Sequence, residues 1–252
     1  MTFLILLLAA LVGGAANALA GGGTFLVFPA LLLAGVASVK ANATSSLIMM
    51  PGGVASAWVY RRTLDGQSPR QIGQLVAVSL AGSGAGSVLL LSTPNRTFSD
   101  LVPWLLLIAA AVFTLAPWLR AAAARSAGNK SVLILFTGQF AIGVYGGYFG
   151  AGMGVLMIAL FLVASGMAVQ AANGIRLVCG TAINVLAIIL FAWRGALDWR
   201  LGIPMLAAGV AGGYLGARVV RKLKEEAARK AILVYAWGLT AYFFVRLFAQ
   251  GV

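Results

Sequence analysis

Arg176 is the side chain in this sequence that is best suited to bind a ligand. It follows Asn173 in the apolar stretch NGIRLVCGTAIN, about two turns into a predicted helix. If that helix lies in a bilayer, the charge costs at least about 2.5–3.5 kcal/mol on insertion scales, and such a residue normally marks a polar pathway or a paired charge. The alternative is that its long side chain reaches the nearby interface. We favour the binding role, in which an anion supplies the opposite charge.

Asn42 and Asn173 are the other polar residues that we expect to bind this anion. Each directly follows a glycine-rich hairpin of the sequence, and an amide N–H can donate to an oxyanion. The nearby hydroxyl and amide side chains are Thr44, Ser45, Ser46, Thr181 and Asn184. The competing role is hydrogen bonding between helices, worth about 0.6 kcal/mol per contact in membranes. That role is at least as well supported for Ser45, Ser46, Thr181 and Asn184.

Glycine clusters interrupt both hairpins. Gly21, Gly22 and Gly23 separate two apolar arms, and Gly150 and Gly152 belong to a second cluster. A broken helix leaves free N–H groups at an end that carries partial positive charge, which favours anions. Close packing of the arms is the simpler alternative, and both can hold together. The predicted anion site therefore comprises Asn42, Thr44, Asn173, Arg176, Gly22, Gly23, Gly150 and Gly152.

Catalytic chemistry is poorly supported by this composition. The chain has no histidine, and its one cysteine, Cys179, lies in an apolar segment. The acids Asp65, Asp100, Asp198, Glu225 and Glu226 all lie in or beside predicted loops, so a side-chain proton relay is not expected. No phosphate-binding loop or dinucleotide fingerprint is present. We therefore expect no catalytic residues, no metal, no cofactor and no enzyme activity.

Composition identifies an integral membrane protein. Of the 252 residues, 62% are hydrophobic and 9% are charged, with a mean hydropathy of +0.99; soluble domains are about 25% charged. The net charge of +13 does not indicate nucleic acid, because the basic residues lie between apolar spans. A cleaved signal peptide is not favoured, since no Lys or Arg precedes Lys40. The expected environment is the lipid bilayer.

Ten apolar segments are predicted, at 2–20, 24–36, 41–60, 71–92, 101–119, 132–149, 151–166, 169–193, 200–218 and 230–249. The segments 24–36 and 151–166 are shorter than the ~20 residues that cross a bilayer as a helix. Each is interpreted as one arm of a bent or re-entrant hairpin. Such irregular backbone is tolerated at membrane depth only where it is buried in protein or lines a cavity. Full spanning and re-entry both remain possible.

The order of motifs predicts an internal duplication. Residues 1–119 form the first repeat, 120–131 a cytoplasmic linker and 132–252 the second repeat. Each has five segments, so the repeats are inverted; most basic residues then fall in cytoplasmic loops and both termini lie outside. The predicted fold is an all-α polytopic bundle of two inverted repeats. The glycine pairs Gly82/Gly86 and Gly209/Gly213 allow close helix packing, within one chain or in a homodimer.

The stretches GGGTFLVFPALLLAGVASVKANATSSLIMMPG (21–52) and YGGYFGAGMGVLMIALFLVASGMAVQAANGIR (145–176) resemble the sulfite exporter TauE/SafE family of membrane transport proteins. The WRGALDW sequence at 193–199 and the paired glycine-rich helices match as well. The resemblance covers nearly the whole chain. It implies a multi-pass transporter of the bacterial inner membrane for sulfur-containing anions such as sulfite, sulfoacetate or related organosulfonates.

Taken together, these patterns predict a secondary transporter that exports a small anion by alternating access. Export is inferred on physical grounds, because expelling a monoanion from a negative interior gains about 2.3 kcal/mol per 100 mV. One alternative is a carrier for a different small solute. The other is an intramembrane enzyme or a non-catalytic subunit of a larger complex. The sequence selects neither the anion nor a coupling ion.

Overall fold

The computed structural model of the protein describes residues 2–20, 23–59, 64, 67–125, 131–219 and 225–250. These described residues form helices and no strand. Gly22 and most of the loops predicted to be cytoplasmic lie outside them. The described helices are α1 (Thr2–Ala20), α2 (Thr24–Leu33), α3 (Ser38–Val59), α4 (Pro69–Ser92), α5 (Asn95–Arg125), α6 (Val132–Tyr148), α7 (Met153–Ser165), α8 (Val169–Trp193), α9 (Trp199–Val219) and α10 (Glu225–Gln250).

Several helices are long and apolar enough to cross a membrane. By length and composition these are Pro69–Ser92, Asn95–Leu119, Val169–Trp193 and Lys230–Ala249, and shorter apolar helices accompany them. Large apolar side chains also point outward, such as Leu133 at 73% exposure and Val234 at 75%. Exposed apolar surface on this scale is tolerated only against lipid or another protein. The prediction of an all-α, multi-pass membrane protein is confirmed.

Two helices are too short to cross a bilayer alone. Helices α2 and α7 have 10 and 13 residues, which at ~1.5 Å per residue is about 15 and 20 Å against a hydrocarbon core of ~30 Å. Helix α1 ends at Ala20 and α2 begins at Thr24, while α6 ends at Tyr148 and α7 begins at Met153. The predicted interruption at glycine is confirmed between α6 and α7, where Gly150 and Gly152 lie. Between α1 and α2, Gly21 and Gly22 lie outside the described residues. We call α1–α2 hairpin 1 and α6–α7 hairpin 2.

The chain divides into two compact units, each built from separated pieces of the sequence. Unit 1 comprises residues 1–52, 91–111 and 191–252, and unit 2 comprises residues 53–90 and 112–190. Hairpin 1 belongs to unit 1 and hairpin 2 to unit 2. Each unit therefore combines one hairpin with helices from the other half of the sequence. The repeat boundaries at 119 and 132 and the inverted orientation stay predictions.

In unit 1, hairpin 1 packs closely on α9. A Cβ atom at Gly14 would fall on the carbonyl group of Gly209, and one at Gly212 would fall on the carbonyl group of Leu11. Because these contacts are made by main-chain atoms, only glycine allows the two helices to approach so closely. This packing holds hairpin 1 against α9.

In unit 2, hairpin 2 packs in the same manner on α4. A Cβ at Gly82 would meet the carbonyl oxygen of Phe140, and one at Gly86 would meet that of Val144. From the opposite helix, a Cβ at Gly147 would meet the carbonyl oxygen of Ser83. The glycine pair Gly82/Gly86 therefore packs within one chain. A homodimer stays a prediction.

The two hairpins end in the same way. Helix α2 is followed by Gly35 at φ 85° and α7 by Gly166 at φ 66°, and glycine is the usual residue for this left-handed helix end. Each glycine precedes an asparagine by seven residues, Asn42 in one half and Asn173 in the other. This match in conformation and spacing supports the predicted duplication.

Candidate functional site

Arg176 and Asn173 form one hydrogen-bonded pair near the start of α8. Their i, i+3 spacing places them as neighbours on the helix surface. The Asn173 Oδ1 accepts from Arg176 Nε at 3.1 Å and from Nη2 at 2.8 Å. Hydrogen bonds from a charged donor are stronger than neutral ones, so Asn173 fixes the orientation of the guanidinium. Two of the predicted site residues of the second half, Asn173 and Arg176, are thus brought together.

The guanidinium lies against the first turn of α7. A Cβ at Gly154 would lie 2.6 Å from Nη1 of Arg176 and 3.2 Å from its Cδ, so a side chain at this position would push the arginine away. The start of a helix carries partial positive charge. The described residues of unit 2 include no Asp or Glu. Unit 2 therefore offers an electropositive site, built from Arg176 and the start of α7, to which its described part contributes no carboxylate.

Gly150 and Gly152 make the break between α6 and α7. Both have φ 80°, a conformation that glycine adopts without strain. The Tyr145 hydroxyl donates to the carbonyl oxygen of Ala151 at 2.6 Å, which braces the turn. The structure thus gives these two glycines a role in shaping the hairpin; their contact with an anion stays a prediction. Sequence reasoning missed Gly154, the glycine that adjoins Arg176.

A spacing in the sequence could have identified Gly154. It precedes Asn173 by nineteen residues, and Gly23 precedes Asn42 by the same number. Gly23 is buried: a Cβ there would lie 2.5 Å from the carbonyl oxygen of Gly13 and 2.5 Å from Sδ of Met49. Close packing within hairpin 1 therefore requires glycine at this position. Gly22 lies outside the described residues.

Asn42 and Thr44 are buried inside unit 1, with 1% and 0% of their surfaces exposed. Thr44 Oγ1 accepts from the backbone N–H of Asp198 at 3.0 Å. The hydroxyls of Ser45 and Ser46 both donate to the carbonyl oxygen of Asn42, at 2.8 and 3.2 Å. These two serines thus satisfy the backbone of their own helix, which favours the structural role for them.

Thr44 is linked to the wall of an open cleft. The cleft has a volume of about 610 Å³ and is lined by Phe3, Asp198, Arg200 and Leu201. The Asp198 carboxylate accepts from the N–H of Leu201 at 3.1 Å, which is the bond of a helix N-cap. The hydrogen bond to Asp198 therefore joins Thr44 to the N-cap of α9. Thr44 itself is buried and does not line the cleft. Sequence reasoning did not foresee this partner.

Thr181 is a buried polar group further along α8. Its Oγ1 has no hydrogen-bond partner among the described residues, and it lies 3.7 Å from the position that a Cβ at Gly53 would occupy. Cys179, on the same helix, is buried and forms no disulfide. In the described part of the chain, no group of His, Cys, Asp and Glu could hold a metal ion.

The fold and the site together define a class of protein. Discontinuous helices whose ends meet polar side chains at membrane depth are the usual construction of membrane carriers. Residues 6–243 match the sulfite exporter TauE/SafE family, and the chain belongs to this family. The resemblance seen in the sequence is therefore confirmed.

Curated relatives agree with this class. The chain is 28% identical over 225 residues to a "probable membrane transporter protein" of Haemophilus influenzae, covering 89% of this chain and 88% of the relative. It is 26% identical over 239 residues to the "probable membrane transporter protein YfcA" of Escherichia coli K12, covering 94% and 87%. A relative from Sinorhizobium sp., "probable membrane transporter protein ORF9", is 28% identical over 213 residues, covering 84% and 81%. The protein is thus a multi-pass membrane transporter and not an enzyme.

Proposed function

We propose that this protein exports small sulfur-containing anions, such as sulfite or organosulfonates, across the bacterial inner membrane by alternating access. The observation that carries the proposal is the position of Arg176. A neutral residue, Asn173, holds its guanidinium, and the guanidinium lies against Gly154 at the start of α7. A fixed guanidinium at a helix start favours an anion through both charge and hydrogen bonding.

The chemistry of the site fits a small oxyanion. Sulfite and sulfonate groups present several oxygen atoms on one centre, and guanidinium and amide N–H groups donate to such oxygens. Within α8, the side-chain carbonyl of Asn173 accepts hydrogen bonds from Nε and Nη2 of Arg176. The third nitrogen, Nη1, lies beside the start of α7. We assign the anion to the guanidinium of Arg176, beside the start of α7. In unit 1, Asn42 and Thr44 remain the proposed polar ligands. Gly22, Gly23, Gly150 and Gly152 remain the glycines proposed to contact the anion.

The membrane potential is the reason for proposing that the anion moves outward. With the interior negative, moving one negative charge outward gains about 2.3 kcal/mol per 100 mV. An exporter of a monoanion therefore needs no coupled ion to work against a moderate gradient.

Efflux from proteoliposomes tests the proposal. Vesicles loaded with sulfite, thiosulfate, sulfoacetate or taurine are held at a set potential, and efflux is compared for wild type, Arg176→Ala and Arg176→Lys. The control is Arg70→Ala, which removes an exposed arginine of the same unit. We expect efflux of an anion that responds to potential, a loss of at least about tenfold in Arg176→Ala, and unchanged efflux in Arg70→Ala. Efflux indifferent to both potential and Arg176 would reject the proposal.

A further inference from the structure

Asn17 is an unusual residue in α1. Apart from Thr2 at its start, α1 carries no other polar side chain (TFLILLLAALVGGAANALA). A carboxamide in an apolar environment costs free energy unless its donors and acceptor find partners. The side chain is half-buried and lies within unit 1. Its position close to the broken end of hairpin 1 suggests a role beyond packing.

Two glycines make room for this side chain. A Cβ at Gly23 would lie 2.8 Å from Cβ of Asn17, and a Cβ at Gly52 would lie 3.2 Å from its amide nitrogen, Nδ2. Gly52 is an exposed residue of α3. Outside the neighbouring part of α3, the Asn17 Nδ2 is the one described heavy atom within 4 Å of a Cβ at Gly52. A side chain at position 52 would therefore crowd the Asn17 amide, and glycine avoids this contact.

The same glycine position in the second half faces Arg176. Gly23 and Gly154 both lie nineteen residues before the asparagine that follows their hairpin. In unit 2, α8 places the Arg176 guanidinium against Gly154. In unit 1, the helix that follows the hairpin, α3, places the thioether of Met49 against Gly23. The polar side chain that contacts this glycine is Asn17, which lies on α1. Each unit thus sets a side chain that carries N–H donors against the equivalent glycine: the guanidinium of Arg176 touches Gly154, whereas Asn17 touches Gly23 through its Cβ.

We infer that Asn17 is a further substrate-binding residue, whose Nδ2 donates hydrogen bonds to the oxygen atoms of the transported anion. This inference rests on the proposed function. A carboxamide offers two N–H donors and no charge. It would therefore recognise oxygen atoms without adding positive charge. The two N–H donors of the amide favour an oxyanion over a halide, because a halide has no set of oxygens for them to share.

Exchanging the amide for a carboxylate tests the inference most directly. Asn17→Asp keeps the shape of the side chain but replaces its N–H donors by an acceptor with negative charge. The control is Asn95→Asp, which adds the same charge at an exposed position of unit 1. Sulfite efflux is measured in proteoliposomes. We expect a loss of at least about tenfold in Asn17→Asp, as for a lost charge-assisted hydrogen bond, and efflux within about twofold of wild type in Asn95→Asp.

A second variant leaves Asn17 itself intact. Gly52→Ala places a methyl group 3.2 Å from the amide nitrogen and displaces it. The control is Gly238→Ala, a glycine of α10 with no heavy atom of the described residues within 4 Å of the added Cβ. We expect Gly52→Ala to raise the apparent KM for sulfite severalfold, whereas Gly238→Ala leaves it unchanged. The midpoint of thermal unfolding is recorded for each variant, and Gly52→Ala decides the matter if Asn17→Asp does not fold.

The outcomes separate this inference from the proposed function. If Arg176→Ala abolishes efflux while Asn17→Asp and Gly52→Ala behave like their controls, Asn17 does not contact the substrate and the proposed function stands. If wild type moves no anion of the panel, the proposed function fails. A loss of efflux for sulfite together with unchanged chloride movement in Asn17→Asp would support oxygen recognition by the amide.

Discussion

The backbone N–H of Asp198 donates to the hydroxyl oxygen of Thr44 at 3.0 Å, across 154 residues of sequence. The bond joins the middle of α3 to the cap of α9. Thr44 is fully buried, and its methyl group lies 3.3 Å from the position that a Cβ at Gly202 would take. A residue predicted from sequence as an anion ligand therefore also fixes the start of a helix.

We expect Thr44→Val to be more destabilising than Thr44→Ser. Valine preserves the shape of threonine but leaves the Asp198 N–H without its acceptor, which costs about 1–3 kcal/mol for a buried donor. Serine keeps the acceptor and loses one methyl group, worth about 0.8 kcal/mol. The measurement is the midpoint of thermal unfolding in detergent. A serine variant less stable than the valine variant would show that methyl packing, and not the hydrogen bond, stabilises this junction.

Asn173 variants should separate stability from transport. Asn173→Asp retains the acceptor for Arg176 Nε and Nη2 and adds a negative charge, so we expect wild-type or greater thermal stability. Transport should fall at least about tenfold, because the new carboxylate cancels the charge offered to the anion. Asn173→Ala should lower both, since a hydrogen bond to a charged group contributes about 1.5–3 kcal/mol.

The matched control for Asn173→Asp is Gln170→Glu, which adds a carboxylate at an exposed position of the same helix. Efflux of sulfite and the unfolding midpoint are measured for all three variants. Normal efflux in Asn173→Asp would mean that the site does not depend on the positive charge of Arg176.

Most of the helices could be predicted, because the hydropathy of the sequence marks the apolar segments that form them. The segments 2–20 and 169–193 match α1 and α8 in full. The start of α5 was predicted at residue 101, whereas the helix begins at Asn95. The first turns of α5 carry the charged residues Arg96 and Asp100, so the apolar pattern of the sequence did not include these turns. Helix hydrogen bonding continues through polar residues that hydropathy excludes.

The site could be predicted only where its partners are close in sequence. Asn173 and Arg176 are three residues apart, so helix geometry brings them together. The bond between Thr44 and Asp198 depends on how α3 packs against α9, which local pattern does not specify. The contact of Arg176 with Gly154 likewise depends on how hairpin 2 folds back. Local propensity carries no information on such contacts, because tertiary packing decides them.

Gly154→Ala should impair transport with little effect on stability. The added methyl group would lie 2.6 Å from Arg176 Nη1, so the guanidinium, at the end of a long side chain, has to move. Alanine is otherwise favourable in a helix by about 0.5–1 kcal/mol relative to glycine. The control is Gly73→Ala, a glycine of α4 whose added Cβ would have no heavy atom within 4 Å in the part of the chain that the structure describes. We expect a severalfold rise in the apparent KM for sulfite in Gly154→Ala alone. Equal KM values for the two variants would place the anion away from this guanidinium.

Gly86→Ala should be strongly destabilising, because its Cβ would meet main-chain atoms that cannot rotate away. That Cβ would overlap the carbonyl oxygen of Val144 and lie 3.0 Å from the backbone nitrogen of Tyr148. Helices α4 and α6 would have to separate, and overpacking of this kind costs about 1–3 kcal/mol or more. Gly84→Ala is the control on the same helix, since its Cβ would lie 3.9 Å from a Leu186 methyl group, an ordinary contact. We expect the unfolding midpoint in detergent to fall for Gly86→Ala and to stay level or rise for Gly84→Ala. Equal stability of the two variants would mean that hairpin 2 does not approach α4 at backbone distance.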